Sequence, residues 1–496
     1  MRKSSLFRAS HVNTGTSIPR SELETSATRG REFRLPKLHA TVESSDATAV
    51  GGLSIAARLL ATLKAPQKID AALSLLKVHR PFFESDHVLT HVYNLFTGGT
   101  CIEDIADLQH SEAARRMLGA ARIPDPTTAG DFLRRFKRDD INSLDQACDD
   151  LHRAAWAKRY KKRKQDRVLV DIDSHVHHVY GNQKEGTDFT YKGGFGYHPL
   201  VVSVAGTQEC LRIVNRPGNL TSADGADAAI ESVVPLLKER FKQIIVRGDS
   251  AFAQQAIYDV CEKHEMHFAM VSPSHPNLEG LADSIPEQAW KPFRARQASS
   301  SPSEARRRKR RKNVRRKKVK QRGKRDLQLK NQWVAEMDYK PARSRKSFRL
   351  IVRRQRIQES GQGQLFELWR YRYVITNLPT SVDAVEAVRM TYQRCDQENV
   401  IEQLQNGIAA MRMPTGGFLA NWAFLVCSRI AHNLKAWLAM LALPDEVMRW
   451  EWKRFRKSFV FVAARIVKKG RQILIKFADS HRFAKALARG ITALQV

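Results

Sequence analysis

Three short stretches carry the carboxylates that could do chemistry. In "VLVDIDSHVHHVYG" (168–181) a run of β-formers holds Asp171 and Asp173. Side chains alternate along a strand, so Val168, Val170, Ile172 and Val176 share one face and Asp171, Asp173, His175 and His177 the other. A buried unpaired carboxylate is costly, so the acidic face must meet water, cations or donors. Alternation does not separate Asp171 from Asp173. His178 points away from His175 and His177, and no Cys or HExxH pattern accompanies them, so the histidines read as solvent- or DNA-facing rather than as a zinc site. In "QIIVRGDSAF" (243–252) a β run ends in Arg-Gly-Asp and a helical pattern follows. Asp249 therefore sits at the carboxyl end of a strand, where open α/β sheets hold their ligands. A helix N-cap is the competing job for Asp249, and Ser250 could take it instead. Gly248 suits a close approach or a tight turn. The third stretch, "MTYQRCDQENVIEQLQNG" (390–407), reads as one helix. At ~100° per residue, Arg394, Glu398 and Gln405 fall within about 40° of one another. Glu402 shares that polar face and Asp396 lies opposite, which selects Glu398 or Glu402. Alone, Arg394 and Glu398 would be an ordinary i, i+4 pair.

Together the three stretches say more. Two strand-borne aspartates and a helix-borne glutamate are what two-metal phosphoryl transfer requires. Hard oxygen ligands suit Mg²⁺, which needs few carboxylates and fills its shell with water and phosphate. Two such ions about 3.5–4 Å apart activate a nucleophile and stabilise the leaving oxygen.

Charge names the partner class. The 496 residues contain 84 Lys+Arg against 51 Asp+Glu, a net charge of +33. So basic a chain suits a polyanion, and nucleic acid leads. A membrane is the rival, but no apolar run approaches the roughly 18–20 residues that span a bilayer. The six cysteines are scattered without a CxxC pair, which argues against disulfides and zinc knuckles and for a reducing compartment. "MRKSSLFRAS" lacks the apolar core of a secretory signal. In "RRRKRRKNVRRKKVKQRGKR" (306–325), fifteen of the twenty residues are basic. Such a run could bind duplex DNA through counterion release without reading sequence, with Arg310, Arg311, Arg315, Arg316, Lys317 and Lys318 on phosphates. An inert linker is the other reading.

The elements that must position these groups follow from periodicity. Residues 1–50 are polar and aperiodic and read as a disordered basic tail. Three- and four-residue apolar spacings predict helices over 51–157. Strands first in a meander and then as strand–helix–strand occupy 158–275, an α/β unit with a mixed sheet. A β-rich segment with the basic arm spans 276–380, and 381–496 reads as helical.

At these residues the sequence resembles the DDE transposases of bacterial insertion sequences, more narrowly the insertion-sequence thirteen-eighty family, relatives of the insertion-sequence four group. The resemblance runs from about Leu60 to Met440. It rests on "LVDIDSHVHHVYGNQKEG", "GYHPLVVSVAGT", "LRIVNRPGNLTSADGA", "IIVRGDSAFA", "YRYVITNL" and "YQRCDQENVIEQL" in order. It implies an RNase H-like mixed sheet flanked by helices, interrupted by a β-rich insertion domain and preceded by a helical DNA-binding region. It maps the catalytic, metal-holding triad to Asp173, Asp249 and Glu398, with Asp173 bridging two Mg²⁺ ions (Mn²⁺ able to substitute). Arg394 would bind phosphate, and Tyr392, Gln405 and Arg247 are taken with it as DNA contacts. The match departs in three places: "DIDSH" puts Ser174 beside the Asp and His175 where Thr is expected, Tyr392 stands one residue too close to Arg394, and Gln405 replaces a Lys. Trp290 and Trp333 are candidates to stack on a flipped base, with packing as the plainer role. The implied activity is cut-and-paste transposition on double-stranded DNA, at terminal inverted repeats and target, by a homodimer in the synaptic complex, cytoplasmic and nucleoid-associated. Two other readings stay open: an RNase H-like nuclease without strand transfer, and a catalytically dead DNA-binding descendant.

Overall fold

The structure, a computed structural model, describes residues 46–161, 163–293, 327–342, 344–359, 368–393 and 395–495. The expected tail (all but its last five residues), the basic arm with Arg310, Arg311, Arg315, Arg316, Lys317 and Lys318, and Arg394 lie outside the described residues.

The strands are β1 (Ala47–Thr48), β2 (Gln165–Ser174), β3 (His177–His178), β4 (Asp188–Phe189), β5 (Phe195–Tyr197), β6 (Leu200–Val204), β7 (Cys210–Val214), β8 (Phe241–Gly248), β9 (His267–Ser272), β10 (Lys291–Pro292), β11 (Leu327–Tyr339), β12 (Phe348–Glu359), β13 (Leu368–Thr376), β14 (Ala464–Lys469) and β15 (Gln472–Phe477). Nine of them form one mixed sheet in the order β10–β11–β12–β13–β9–β8–β2–β6–β7. The expected meander is β2, β6 and β7, paired antiparallel. The expected strand–helix–strand half is β2, β8 and β9, paired parallel. Helix α8 (Ala226–Arg240) carries the chain from β7 to β8, α9 (Gln255–Lys263) from β8 to β9, and α10 (Pro276–Asp283) follows β9. The described strands between 276 and 380, β10–β13, make no sheet of their own. β13 pairs antiparallel with β9, so β11–β13 continue the central sheet outward.

Both sheet faces are covered, as a partly parallel sheet requires. Val168, Val170 and Ile172 of β2 enter the larger core. Leu169, Ile245, Ala269, Val334, Ile351 and Val374 form the other side, under Ala384, Ala387, Val388 and Met390 of α11 (Ala384–Tyr392). The helices predicted over 51–157 are α1 (Leu53–Thr62), α2 (Ala65–Ala72), α3 (Glu84–Thr97), α4 (Ile105–His110), α5 (Glu112–Leu118), α6 (Pro126–Leu133) and α7 (Arg138–Tyr160). They share the larger core with α13 (Phe418–Leu441), a helix buried nearly all round. No described helix is long and apolar enough to cross a membrane.

Buried charges lock these layers. Arg429 of α13, fully buried, donates to Asp145 (2.6 Å) and Asp149 of α7, and Arg212 of β7 reaches Asp149 at 2.9 Å. Burial alone would raise the Asp149 pKa, but Arg429 and Arg212 outweigh it and hold the carboxyl below its usual range. Each charge thus has a partner, without which its burial would be severely destabilising.

Two segments depart from expectation. The C-terminal region is not wholly helical: β14 and β15 form a hairpin in "ARIVKKGRQILIKF", where alternation and a turn at Gly470, φ +61°, override the surrounding helical pattern. The single helix expected over 390–407 is broken. α11 stops at Tyr392, α12 (Cys395–Glu402) starts afresh, and a π turn follows over Gln403–Gly407. Gln405 is therefore not carried round at a uniform 100° per residue from Glu398.

His91, His152 and His432 are buried, each within hydrogen-bonding range of one backbone carbonyl, and burial depresses their pKa to about 4, 3 and 3. They stay neutral in the fold, whereas the unfolded chain protonates them near 6.5. Their contribution is complete above that value and lost as pH falls towards the folded pKa, by up to about 1.4 kcal/mol per pH unit for each. Urea titrations should show a lower midpoint at pH 5 than at pH 7; equal midpoints would contradict neutral burial.

Candidate active site

The site begins with strand register. β2 and β8 pair in parallel from Gln165↔Phe241 to Asp171↔Arg247. At the last pair the side chains meet: Arg247 Nε and Nη2 each donate to an Asp171 carboxylate oxygen at 2.7 Å, and Nη1 donates to Met390 O at 2.5 Å. Asp171 is 0% exposed and Arg247 1%. The cation that the acidic face required is thus Arg247. Its assignment as a DNA contact is corrected: a buried guanidinium with all three nitrogens engaged is a structural tie between β2, β8 and α11.

Side chains at i and i+2 of a strand share a face. Asp173 and Asp249 each stand two residues past that last pair, where β2 and β8, adjacent and parallel, reach their carboxyl ends. Asp173 is half-buried, and its Oδ1 accepts from Ser174 N at 2.7 Å. Asp249 is half-buried too, and its Oδ1 accepts from Ala251 N at 2.9 Å, capping the turn Ser250–Phe252. The cap reading therefore holds, and it uses one oxygen; Oδ2 accepts no hydrogen bond from a described residue. Gly248 is a close approach, since a Cβ there would sit 2.7 Å from Phe252 Cβ and 2.8 Å from Met270 Sδ.

Glu398 reaches the same face through its neighbour. Gln397 is 0% exposed; its Nε2 donates to Val201 O at 3.1 Å, and its Oε1 accepts from Ser203 Oγ. Val201 and Ser203 pair across β2–β6 with Asp173 and Asp171. Opposed residues of an antiparallel pair share a face, so α12 lies over the acidic face, and its exposed residues include Glu398 and Glu402. Among the described residues no three His, Cys, Asp or Glu side chains are drawn together closely enough to hold a metal ion. The donors fit a hard divalent cation in type: Asp173 and Asp249 follow the ends of adjacent strands, and Glu398 is on the helix over the same face.

The altered "DSH" acquires a structural meaning. His198 lies within hydrogen-bonding range of Leu220 O (2.8 Å) through Nδ1 and of Ser174 Oγ (2.9 Å) through Nε2, anchoring the residue next to Asp173. The carbonyl can only accept, so Nδ1 carries the proton and Nε2 receives the hydroxyl's. His175 and His177 are half-buried, with pKa lowered chiefly by burial, and His178 is exposed. Of the remaining assigned contacts, Tyr392 packs under Arg353, whose guanidinium lies 4.1 Å from the ring centre, and Gln405 is half-buried on the π turn. Trp290 and Trp333 pack around Arg354, at 4.2 and 5.4 Å. That is the plainer role expected of them. A cavity of about 530 Å³ has Ser250, Asp283, Arg370, Tyr371 and Arg372 in its wall.

Sequence reasoning missed Gln397 and His198. Gln397 had a signal: it occupies the apolar stripe with Val400, Ile401 and Leu404, where a polar residue needs a partner. His198 had none, since its partners lie 24 and 22 residues away in sequence.

The family described as transposase DDE domain group 1 matches residues 34–496. The chain belongs to that transposase family. No curated protein matches. Among solved structures, this DDE-domain chain is similar to a piggyBac transposase in its synaptic complex with hairpin DNA, determined by cryo-electron microscopy. The identity is 10%, the TM-score 0.32, and the match covers 90% of this chain and 85% of that one.

The geometry separates the two aspartates of β2. Asp171→Asn strips a buried arginine of its counter-charge and should cost about 3–5 kcal/mol in urea unfolding, with Asp171→Leu/Arg247→Met recovering much of it. Asp173→Asn, at a half-buried site, should cost less than half as much. Equal losses would show that Asp173, too, is a structural residue.

Proposed function

We propose that this chain is a cut-and-paste DNA transposase of the insertion-sequence thirteen-eighty type, with an RNase H-like catalytic core. The observation that carries the reading is the parallel pairing of β2 and β8, tied by Asp171 and Arg247, two residues beyond which stand Asp173 and Asp249. The family match supports it, as do the strand order β7–β6–β2–β8–β9, the helix of Glu398 over the acidic face and the +33 charge.

Asp173, Asp249 and Glu398 would hold two Mg²⁺ ions, with Mn²⁺ able to substitute. When bound, such ions lower the pKa of a coordinated water or 3′-hydroxyl and offset charge on the leaving oxygen. The chain's own work is positioning. Arg247 fixes the two strands, His198 holds Ser174 beside Asp173, and Gln397 seats the helix that presents Glu398. Arg394 would bind phosphate near Glu398, and the 306–325 arm would follow the DNA backbone. The double-stranded substrates are transposon ends with terminal inverted repeats, and target DNA. Two ends would be joined in a homodimeric synaptic complex, in a bacterial cytoplasm at the nucleoid.

One observation favours a second reading, a DNA-binding descendant without catalysis: no described trio of acids is drawn into a ligating group. Cleavage assays on a donor end with Mg²⁺ or Mn²⁺ decide between them. The transposase reading expects wild-type cleavage and joining, and losses on the order of 10³-fold or more for Asp173→Asn, Asp249→Asn and Glu398→Gln, with duplex binding retained. Binding without wild-type cleavage supports the inert descendant, and cleavage without joining of pre-cut ends supports a nuclease.

Deleting 306–325 should weaken duplex binding for all sequences alike and flatten its salt dependence. An unchanged slope of affinity against salt would exclude the arm from the backbone contact.

A further inference from the structure

We propose that the hairpin β14–β15 is a second DNA-contacting element, a basic two-stranded ribbon that enters the major groove of duplex DNA. The proposal rests on the DNA-processing reading above and concerns a part of the chain outside its acidic site.

The hairpin is fixed at its base and bare at its tip. Ala464 and Ile466 pack with Ile475 and Phe477 against Ala113 and Met117 of α5. Ile466 N donates to Asp46 O at 2.8 Å, β1 pairs with β14, and Ala478 N donates to Ala463 O at 3.0 Å. Beyond that anchor every residue from Lys468 to Leu474 is exposed, including Ile473 at 41% and Leu474 at 45%. A buried end sets the ribbon's direction, and the free end is where a partner can be met.

Its charge is of one sign. Arg465, Lys468, Lys469, Arg471 and Lys476 are all exposed, and no Asp or Glu lies between Ala464 and Phe477. Arg465 stands directly across from Lys476. Like charges opposed across a ladder are destabilising, and an unbound hairpin gains nothing from them. None of the five forms an ion pair with a described residue. A polyanion would relieve that repulsion, and a protein partner would have to be strongly acidic to do so.

Shape selects the duplex. The major groove, about 12 Å wide and 8.5 Å deep, admits a two-stranded ribbon. Paired strands sit roughly 4.8 Å apart, and six residues extend about 20 Å, so the tip can reach the groove floor while the base stays on α5. Lys468 and Lys469 are placed to meet phosphates. Arg471 and Gln472, at the turn, carry the groups that pair bidentately with guanine and adenine edges.

The test uses the full chain and a fluorescent random-sequence duplex, with anisotropy followed across salt. Lys468→Ala/Lys469→Ala/Arg471→Ala should lower the log–log salt slope by about 2–3 and weaken binding on the order of tenfold at physiological salt. Lys468→Arg/Lys469→Arg/Arg471→Lys should keep the slope, which rules out misfolding as the cause. Wild-type protection of guanine N7 from methylation should disappear in the alanine variant. An unchanged slope, in a protein that still binds and cleaves DNA, overturns the ribbon and leaves the transposase reading intact. Wild-type protein with no salt-dependent duplex binding overturns both. Loss of self-association without DNA, at unchanged duplex affinity, would instead make β15 an edge that pairs with a second copy.

Discussion

One buried ion pair sets the frame for the candidate site. Asp171 and Arg247 are both withdrawn from water, and neither could be stably buried alone. Their pairing fixes how β2 and β8 lie side by side. A slip of one residue would turn every side chain of β2 to the wrong face, and would part the two charges as well. The pair stands two residues before Asp173 and Asp249, so it fixes the strands that end in those acids. Arg247 also grips Met390 O, so it ties down the helix that precedes the one bearing Glu398. Three elements distant in sequence meet at one guanidinium.

The surroundings repeat the device on the opposite side of the sheet. Arg429, Asp145, Asp149 and Arg212 connect α13, α7 and β7. The N-terminal helices and the C-terminal half therefore share a core instead of standing as separate beads, although the sequence reads as distinct segments. The extra strands between 327 and 376 likewise join the central sheet through β9, where backbone pairing leaves no intervening edge.

Much of the scaffold was legible because the physics is local. Val168, Val170 and Ile172 alternate with polar partners, and "QIIVRGD" ends its strand where Gly248 must be small. A meander succeeded by strand–helix–strand predicted a mixed sheet, and the strand order came from the fold. Less legible was the stretch 390–407, where 100° arithmetic assumed a continuous helix; the break after Tyr392 and the π turn at Gln403 depend on what α12 rests upon. The C-terminal hairpin was hidden for a different reason. Its tip is charged on both faces, which masks the period-two signal carried only by Ala464, Ile466, Ile475 and Phe477.

Composition, alternation and motif order by themselves determined a basic α/β chain with three acidic stretches, one at a strand end and one on a helix, and made phosphoryl transfer the expected chemistry. They could not rank Asp171 against Asp173, because both lie on one face of one strand. Tertiary structure decided that. Arg247, 76 residues away, neutralises Asp171 and removes it from solvent, whereas Asp173 stays half-buried at the carboxyl end of β2. The same holds for Gln397, His198 and the basic hairpin. Residue type states what a side chain can do, and only the partner that the fold brings to it determines which of those things it does.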